Sequence, residues 1–231
     1  LRGLFDWQNA EDDPHEHEFP TFSLTINPSS PIVQVRLSED VSITHVRGTL
    51  FHDGQDWQTA SIDGVLNGGG VLSVRLTEGD GRRSLNFVAE DAGAFLRATK
   101  FHSQIENGRL EVEGAYEDQL PGKPFVGFAK MTDFRLHNAP VLAKILTLSS
   151  LIGILDTLSG GGIAFSRLEM PFRLAEGHLE ITGAKARGTA LGITGHGVID
   201  WRADEIAFAG DLVPAYGING ALSKIPLIGP L

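Results

Sequence analysis

The feature that most constrains this chain is an alternation. From Phe19 onward, apolar and polar residues trade places every second position in short runs, and each run ends in Gly, Asp, Asn or Pro. Leu24 and Ile26 share a face, as do Val33, Val35 and Leu37. Further runs cover residues 41–43, 46–51, 71–76 and 85–89. Successive strand side chains point to opposite sides. Period two, with turn residues roughly every 8–12 positions, therefore predicts antiparallel sheet with one apolar and one wet face. Asn67-Gly68 and Asp80-Gly81 suit tight hairpin turns, because these residue types tolerate positive φ.

The second half continues the pattern. Strands are expected over residues 125–136, 163–175, 177–185, 189–201 and 205–214. Leu168, Met170, Phe172 and Leu174 fall on one side, and Arg167, Glu169 and Arg173 on the other. Leu191, Ile193, Ile199 and Trp201 alternate in the same way, with Gly195 and Gly197 thinning the middle.

Three helices interrupt the strands. The first spans 92–99, with Asp91 as N-cap. The second spans 139–158, with Asn138 as cap, Pro140 in the first turn and Gly160-Gly161-Gly162 as terminator. The third is short, 220–224. In the second helix Val141, Ile145, Leu148, Ile152 and Leu155 form the main stripe, while Leu146, Leu151 and Ile154 lie off it. Two readings follow. The helix caps the end of the sheet through Ile145, Leu148 and Ile152, or its broad apolar surface meets a membrane or gates a groove.

Composition narrows the function. Of 231 residues, 42% are hydrophobic and none is cysteine, so the chain can bury a core without disulfides, Cys-ligated zinc or thiol chemistry. With 19 basic against 29 acidic residues, the net charge of −10 disfavours nucleic acid as a partner. Twenty-eight glycines, far above the usual ~7%, point to turns, bulges and close backbone approaches. The stretch 139–155, broken by Lys144, is shorter than the ~20 apolar residues of a bilayer-spanning helix. No signal peptide opens the chain, and both ends read as cut, so an export signal or membrane anchor is expected outside it.

Enzyme motifs are missing: no Gly-x-Ser-x-Gly, no phosphate loop, no His-Glu-x-x-His. His15, Glu16, His17 and Glu18 sit in a charged loop (11–18) with no matching metal ligands elsewhere. His102, His137, His178 and His196 are scattered singly, and Glu111 and Glu180 alternate opposite the apolar face. The expectation is a protein without catalytic residues, metal or cofactor.

There is also an internal repeat. Gly108-x-Leu110-Glu-Val112-x-Gly114-Ala115 returns as Gly177-x-Leu179-Glu-Ile181-x-Gly183-Ala184, offset by 177 − 108 = 69. Leu142-Ala-Lys-Ile145 is echoed by Leu222-Ser-Lys-Ile225, offset by 222 − 142 = 80. Unequal offsets fit divergent helix-plus-strands units. The expected fold is mostly β with a few helices: a strongly coiled antiparallel sheet forming an open apolar groove. It forms a single unit over 1–231, with subunits of about 19–116 and 117–231.

The order of motifs resembles a family. Asp91-Ala-Gly-Ala-Phe-Leu96 precedes Glu106-Asn-Gly-Arg-Leu-Glu-Val112, then a strand, then Asn138-Ala-Pro-Val-Leu-Ala-Lys144 and Gly162-Ile-Ala-Phe165. Glu176-Gly-His-Leu-Glu-Ile181, Gly195-His-Gly-Val-Ile-Asp200, Val213-Pro214 and Ile225-Pro-Leu-Ile-Gly229 follow. Over about residues 90–231 this resembles the C-terminal region of the AsmA-like proteins of Gram-negative bacteria. The resemblance implies an inner-membrane-anchored protein projecting through the periplasm, whose curled sheet carries phospholipid between inner and outer membranes. The partners implied are phospholipid or another acyl lipid, a membrane reached through segments outside this chain, and envelope proteins. The chain departs from the family in lacking the anchor helix and the usual final strands.

Candidate groove-lining residues are Val126, Phe128, Phe134, Leu168, Met170, Phe172, Leu174, Leu191, Ile193, Ile199, Trp201, Phe208 and Leu212. The same alternation also describes the filled core of a β-sandwich, in which case the chain serves as a structural or interaction module of the envelope.

Overall fold

The computed structural model describes residues 22–26, 35–36, 42–66, 70–99, 104–137, 139–148, 152–203 and 205–214. The strands are β1 (Phe22–Ile26), β2 (Val35–Arg36), β3 (Ser42–His52), β4 (Trp57–Leu66), β5 (Val71–Gly79), β6 (Arg82–Ala89), β7 (Ile105–Tyr116), β8 (Phe125–Leu136), β9 (Ile163–Ala175), β10 (His178–Gly188), β11 (Leu191–Asp200) and β12 (Glu205–Pro214). The helices are α1 (Ala92–Ala98), α2 (Pro140–Leu148) and α3 (Ile152–Ser159).

All the strands join one open antiparallel sheet in the order β1-β3-β4-β5-β6-β7-β8-β9-β10-β11-β12, with β2 also on β3. From β3 onward each strand pairs with the next in sequence, the simplest meander. Where β7 meets β8 one register holds from Ile105↔Leu136 to Tyr116↔Phe125, skipping only Gly108 and Asp133, both at positive φ.

Strands β8, β9 and β12 span 125–136, 163–175 and 205–214, as the alternation predicts. The expected strand 189–201 is shorter, Leu191–Asp200. Trp201 falls in the following turn, where Asp200 Oδ1 accepts from the amides of Arg202 (2.9 Å) and Ala203 (3.1 Å). Strand β4 has no counterpart among the expected runs. Its inward positions are Ala60, Ile62, Gly64 and Leu66, and the small residues among them blur the period.

Asp91 caps α1: its Oδ1 accepts the Ala94 amide at 2.8 Å. The helix lies close over the start of β7. A Cβ on Gly93 would come within 2.7 Å of the Ile105 carbonyl oxygen, and Arg97 Nη1 donates to that same oxygen at 2.9 Å.

In place of one helix over 139–158 there are two, and their buried residues differ from the expected stripe. Leu142, Leu146, Ile154 and Leu158 enter the core, Leu146 at 0% and Leu158 at 1% exposure. Leu146 and Ile154 are thus core residues, which removes two of the three residues that argued for a membrane-facing surface. The side chains of Val141, Ile145, Leu148, Ile152 and Leu155 lie outside those described. So do Leu151, the Asn138 cap, the Asn67-Gly68 turn, the loop at 11–18, His102, the helix at 220–224 and its Leu222–Ile225 echo.

The repeated motif begins alike in both copies. Asn107-Gly108 has φ of 57° and 84°, and Glu176-Gly177 has 48° and 79°. The second pair is the two-residue turn between β9 and β10, where left-handed residues match the strand twist. The first is a kink inside β7. Helix α1 directly precedes β7, whereas α2 and α3 precede β9 rather than β10. What recurs among the described residues is a strand with a left-handed pair at or near its start.

Candidate functional site

Register fixes which side chains share a face. One row of cross-strand partners runs Leu50↔Ala60↔Leu76↔Leu85↔Gly114↔Gly127↔Phe172↔Ile181↔Gly197↔Phe208, from β3 to β12. Every member is apolar or glycine. A second row runs Gly64↔Leu72↔Ala89↔Leu110↔Met131↔Leu168↔Ala186↔Ile193↔Leu212. A third runs Tyr116↔Phe125↔Leu174↔Leu179↔Ile199↔Ile206. These rows make one continuous apolar face.

The opposite face is ionic. Its matching row reads Glu111↔Lys130↔Glu169↔Lys185 across β7 to β10. Lys130 Nζ lies 2.9 Å from Glu111 Oε2, Arg109 pairs with Glu111 and Glu90, and Arg167 pairs with Glu169 at 2.6 Å. Glu111 and Glu180 thus lie off the apolar face, Glu180 being exposed. Opposite charges on facing strands each contribute roughly 0.2–1 kcal/mol and keep this side wet.

Three segments of the apolar face differ. Where the helices lie, it is packed. Ile163, Phe165, Leu191 and Leu66, at 0–2% exposure, share one core cluster with Leu96 of α1, Leu142 and Leu146 of α2 and Ile154 and Leu158 of α3, and the rings of Phe134 and Phe165 stack at 5.2 Å. Along β9, β11 and β12 the face is half-covered: Leu168, Met170, Phe172, Leu174, Ile193, Ile199 and Phe208 retain partial exposure, and Ile206 is exposed. On β3 to β7, far from the helices, Leu50, Ala60 and Leu76 bury one another with Trp57, Leu85 and Tyr116 packed against them.

The inward glycines are crowded. A Cβ on Gly114 would come within 2.6 Å of Gly127 Cα and 2.7 Å of the Phe125 ring. One on Gly197 would reach the Phe208 ring at 2.7 Å, and one on Gly210 would reach Gly195 Cα at 2.9 Å. Aromatic rings fill the space that the missing side chains at Gly114, Gly127 and Gly197 leave. Phe125 lies 5.0 Å from Tyr116 and 5.7 Å from Phe172.

Several candidate lining residues must be moved. Val126 and Phe128 alternate against Phe125, Gly127 and Ala129 and stand on the ionic face, Val126 at 38% exposure. Trp201 lies off the strands, at 49% exposure. Phe134, Leu191 and Leu212 face inward but are buried in the core. Seven remain on the half-covered face: Leu168, Met170, Phe172, Leu174, Ile193, Ile199 and Phe208.

One buried charged residue joins the apolar face, and the sequence reading missed it. Arg83 alternates with Leu85, Phe87 and Ala89 on β6 and is 6% exposed. Its Nε donates to Asp118 Oδ1 at 3.0 Å and Oδ2 at 3.1 Å, and its Nη2 pairs with Oδ1. Nη1 donates to the Trp57 carbonyl at 3.1 Å and lies 3.4 Å from Asp56. The guanidinium sits 4.5 Å over the Tyr116 ring. Lys123 closes the set by pairing with Asp56. Hydrogen bonding from Arg83 holds the Asp118 carboxyl below its ordinary range, and burial raises the Tyr116 phenol. The only signal in the sequence was Arg83 sharing its parity with apolar neighbours.

Elsewhere, His137 Nε2 lies 2.9 Å from Glu106 Oε2, and His178 Nδ1 lies 3.6 Å from Asp200. Among the described residues no group of three His, Asp or Glu converges on one point, and no helix is long and apolar enough to cross a membrane. No family model, no curated protein and no solved structure matches this chain.

Proposed function

We propose that this sheet shelters the acyl chains of lipids on its apolar face. We propose further that it belongs to a longer, inner-membrane-anchored AsmA-like protein that moves phospholipid across the periplasm between inner and outer membranes. The observation that carries this reading is the ten-strand row from Leu50 to Phe208, free of any polar side chain. On β9, β11 and β12 no element among the described residues covers the neighbouring inward positions completely.

A face of this kind suits a tail and leaves a headgroup in water at its margin. Each sheltered methylene contributes about 0.8 kcal/mol, so a chain of about sixteen carbons gains on the order of 10 kcal/mol before ordering costs. The half-covered positions of β9, β11 and β12 offer similar apolar surface, which lets a tail slide rather than lodge. Crowding of the inward glycines supports a sheet coiled toward this side, forming an open groove.

Native mass spectrometry of the purified protein should reveal co-purifying lipid, and a fluorescent fatty acid should bind. Phe172→Asp and Ile193→Asp should lower that binding at least tenfold while circular dichroism keeps the β signature. Absence of any lipid and any probe binding would sink the proposal.

A second reading has its own support. The end under the helices is filled solid by Leu146, Leu158, Ile163 and Leu191, as in a structural module of the cell envelope that binds only proteins. Under that reading the two Asp variants leave probe binding unchanged, because there is none to lose.

A further inference from the structure

Strand β12 is the last in the sheet, and its outer edge has no partner among the described residues. It pairs with β11 in one register from Asp200↔Glu205 to Leu191↔Pro214, with no bulge to turn the edge aside. Sheets usually blunt such an edge with a lysine, an inward charge, a bulge or a proline inside the strand. Here there is no lysine or arginine, the inward residues are Ile206, Phe208, Gly210 and Leu212, and the proline is the final residue. The outward side is poor in charge too. Ala207, Ala209 and Val213 accompany Glu205 and Asp211, where β7 to β10 carry the row of alternating acids and lysines. Ala207 is exposed, and Ile206 and Val213 are at 36% and 43% exposure.

The strand is complementary to itself. Directly opposite residues of an antiparallel pair lie on one face, so two copies keep their apolar sides together only in registers that set inward residues against inward ones. With Ala209 opposite Ala209, Ile206 faces Leu212, Phe208 faces Gly210, Ala207 faces Asp211 and Glu205 faces Val213, each pair occurring twice. No acid meets an acid, and Pro214 stays outside the paired stretch. Sliding one copy by two residues sets Glu205 against Asp211, and sliding it the other way sets Pro214 against Ile206. A ring opposite a glycine is also how this sheet already pairs: Phe208 faces Gly197, and Phe172 faces Gly127.

We infer that β12 binds β12 of a second copy of this chain, antiparallel about Ala209, on a two-fold axis normal to the sheet. The same patch serves both copies, so the contact closes on itself as a dimer. The backbone groups left open on the two edges become each other's hydrogen-bond partners. The apolar row that ends at Phe208 then runs on into the second copy. This inference stands on the edge strand and does not need the acyl-chain reading. The contact is one strand wide, so the association is weak and depends on concentration.

Analytical ultracentrifugation over a concentration series should show monomer passing to dimer. The β12 amides that point away from β11 should exchange more slowly as the dimer forms. Ala207→Lys makes two opposite-charge pairs with Asp211 across the axis and should tighten the dimer by about two- to thirtyfold. Ala209→Asp sets acid against acid on the axis and should weaken it by about fivefold or more. Thr77→Lys and Thr77→Asp, at an exposed position of β5, make the same changes in net charge far from β12 and should leave the dimer unchanged. A monomer at every concentration overturns the inference. So does a dimer that the Ala207 and Ala209 variants alter no more than the Thr77 variants do. A monomer whose β12 amides are as slow as those of β7 to β9 means that another part of the same chain covers the edge, which overturns it as well. Should Ala209→Asp lose its circular-dichroism signature, Ala207→Lys decides alone, and no tightening beyond that of Thr77→Lys overturns the inference.

Discussion

Arg83 is the residue on which charge and apolar surface meet. It shares an inward face with Leu85 and Phe87, yet its guanidinium is matched by two carboxylates, a carbonyl and a ring. Asp118→Ala leaves this buried charge short of its main partner and should cost about 2–3 kcal/mol in urea unfolding. The acid limb follows from the depressed Asp118 carboxyl. A lowered folded pKa contributes stability that is complete above the unfolded value of about 3.9 and is lost as pH falls through the folded value. Stability of the wild type should therefore decline below about pH 4 more steeply than that of Asp118→Asn. Asp53 is drawn down to about 2 by the backbone amides of Asp56 and Gln55 and by Gln58, so its carbon-13 carboxyl signal should titrate well below the ordinary aspartate range. The expected run 85–89 stopped short of Arg83, which β6 includes. The sequence held no sign that residues 35 positions away would close over it.

At the scale of elements, glycine decides more than the large apolar residues do. The misplacement of Val126 and Phe128 shows why. In β8 the bulkier residues on one parity drew the inward assignment, while the true inward positions are Phe125, Gly127 and Ala129. Small residues are required there because the β7 and β8 backbones crowd together under the Phe125 and Phe172 rings. A Gly114→Val variant should lose about 1–3 kcal/mol by thermal or urea unfolding, whereas Val126→Thr on the other face should stay within about 0.5 kcal/mol. Helix α3 gives the opposite case: Gly153 is exposed, a Cβ there meets nothing within 4 Å, and Gly153→Ala should stabilise by about 0.5–1 kcal/mol. Leu158→Ala in the same helix should cost about 2–5 kcal/mol, since Leu158 is 1% exposed in the core. Parity also switches along a strand. Asp133, at φ 55°, lets Phe134 join the inward face that Phe125 and Ala129 occupy from odd positions. A left-handed residue inside a strand shifts everything beyond it, and period-two counting has no means of placing it.

For the whole molecule, an open meander makes a definite demand. Strands β7 to β9 are flanked on both sides, whereas β12 presents a free edge among the described residues. In the dilute monomer, amide exchange should be slowest in β7, β8 and β9 and fastest in β12, with the β12 amides that point away from β11 leading. Equal protection across the sheet would mean that β12 is covered in solution. The alternating strands, the α1 cap and the Asp80-Gly81 turn (φ 52° and 72°) were all legible in the sequence, because each depends on a few adjacent residues and their own conformational preferences. The ten-strand apolar row, the burial of Leu146 and Ile154, the filled end at Phe134 and Phe165, and the pairing of Arg83 with Asp118 and Asp56 were decided only by the tertiary structure. Local patterning states that a strand has a greasy side. Whether that side is covered depends on register, on left-handed kinks and on which helix folds back over it, and these arise between residues far apart in the chain.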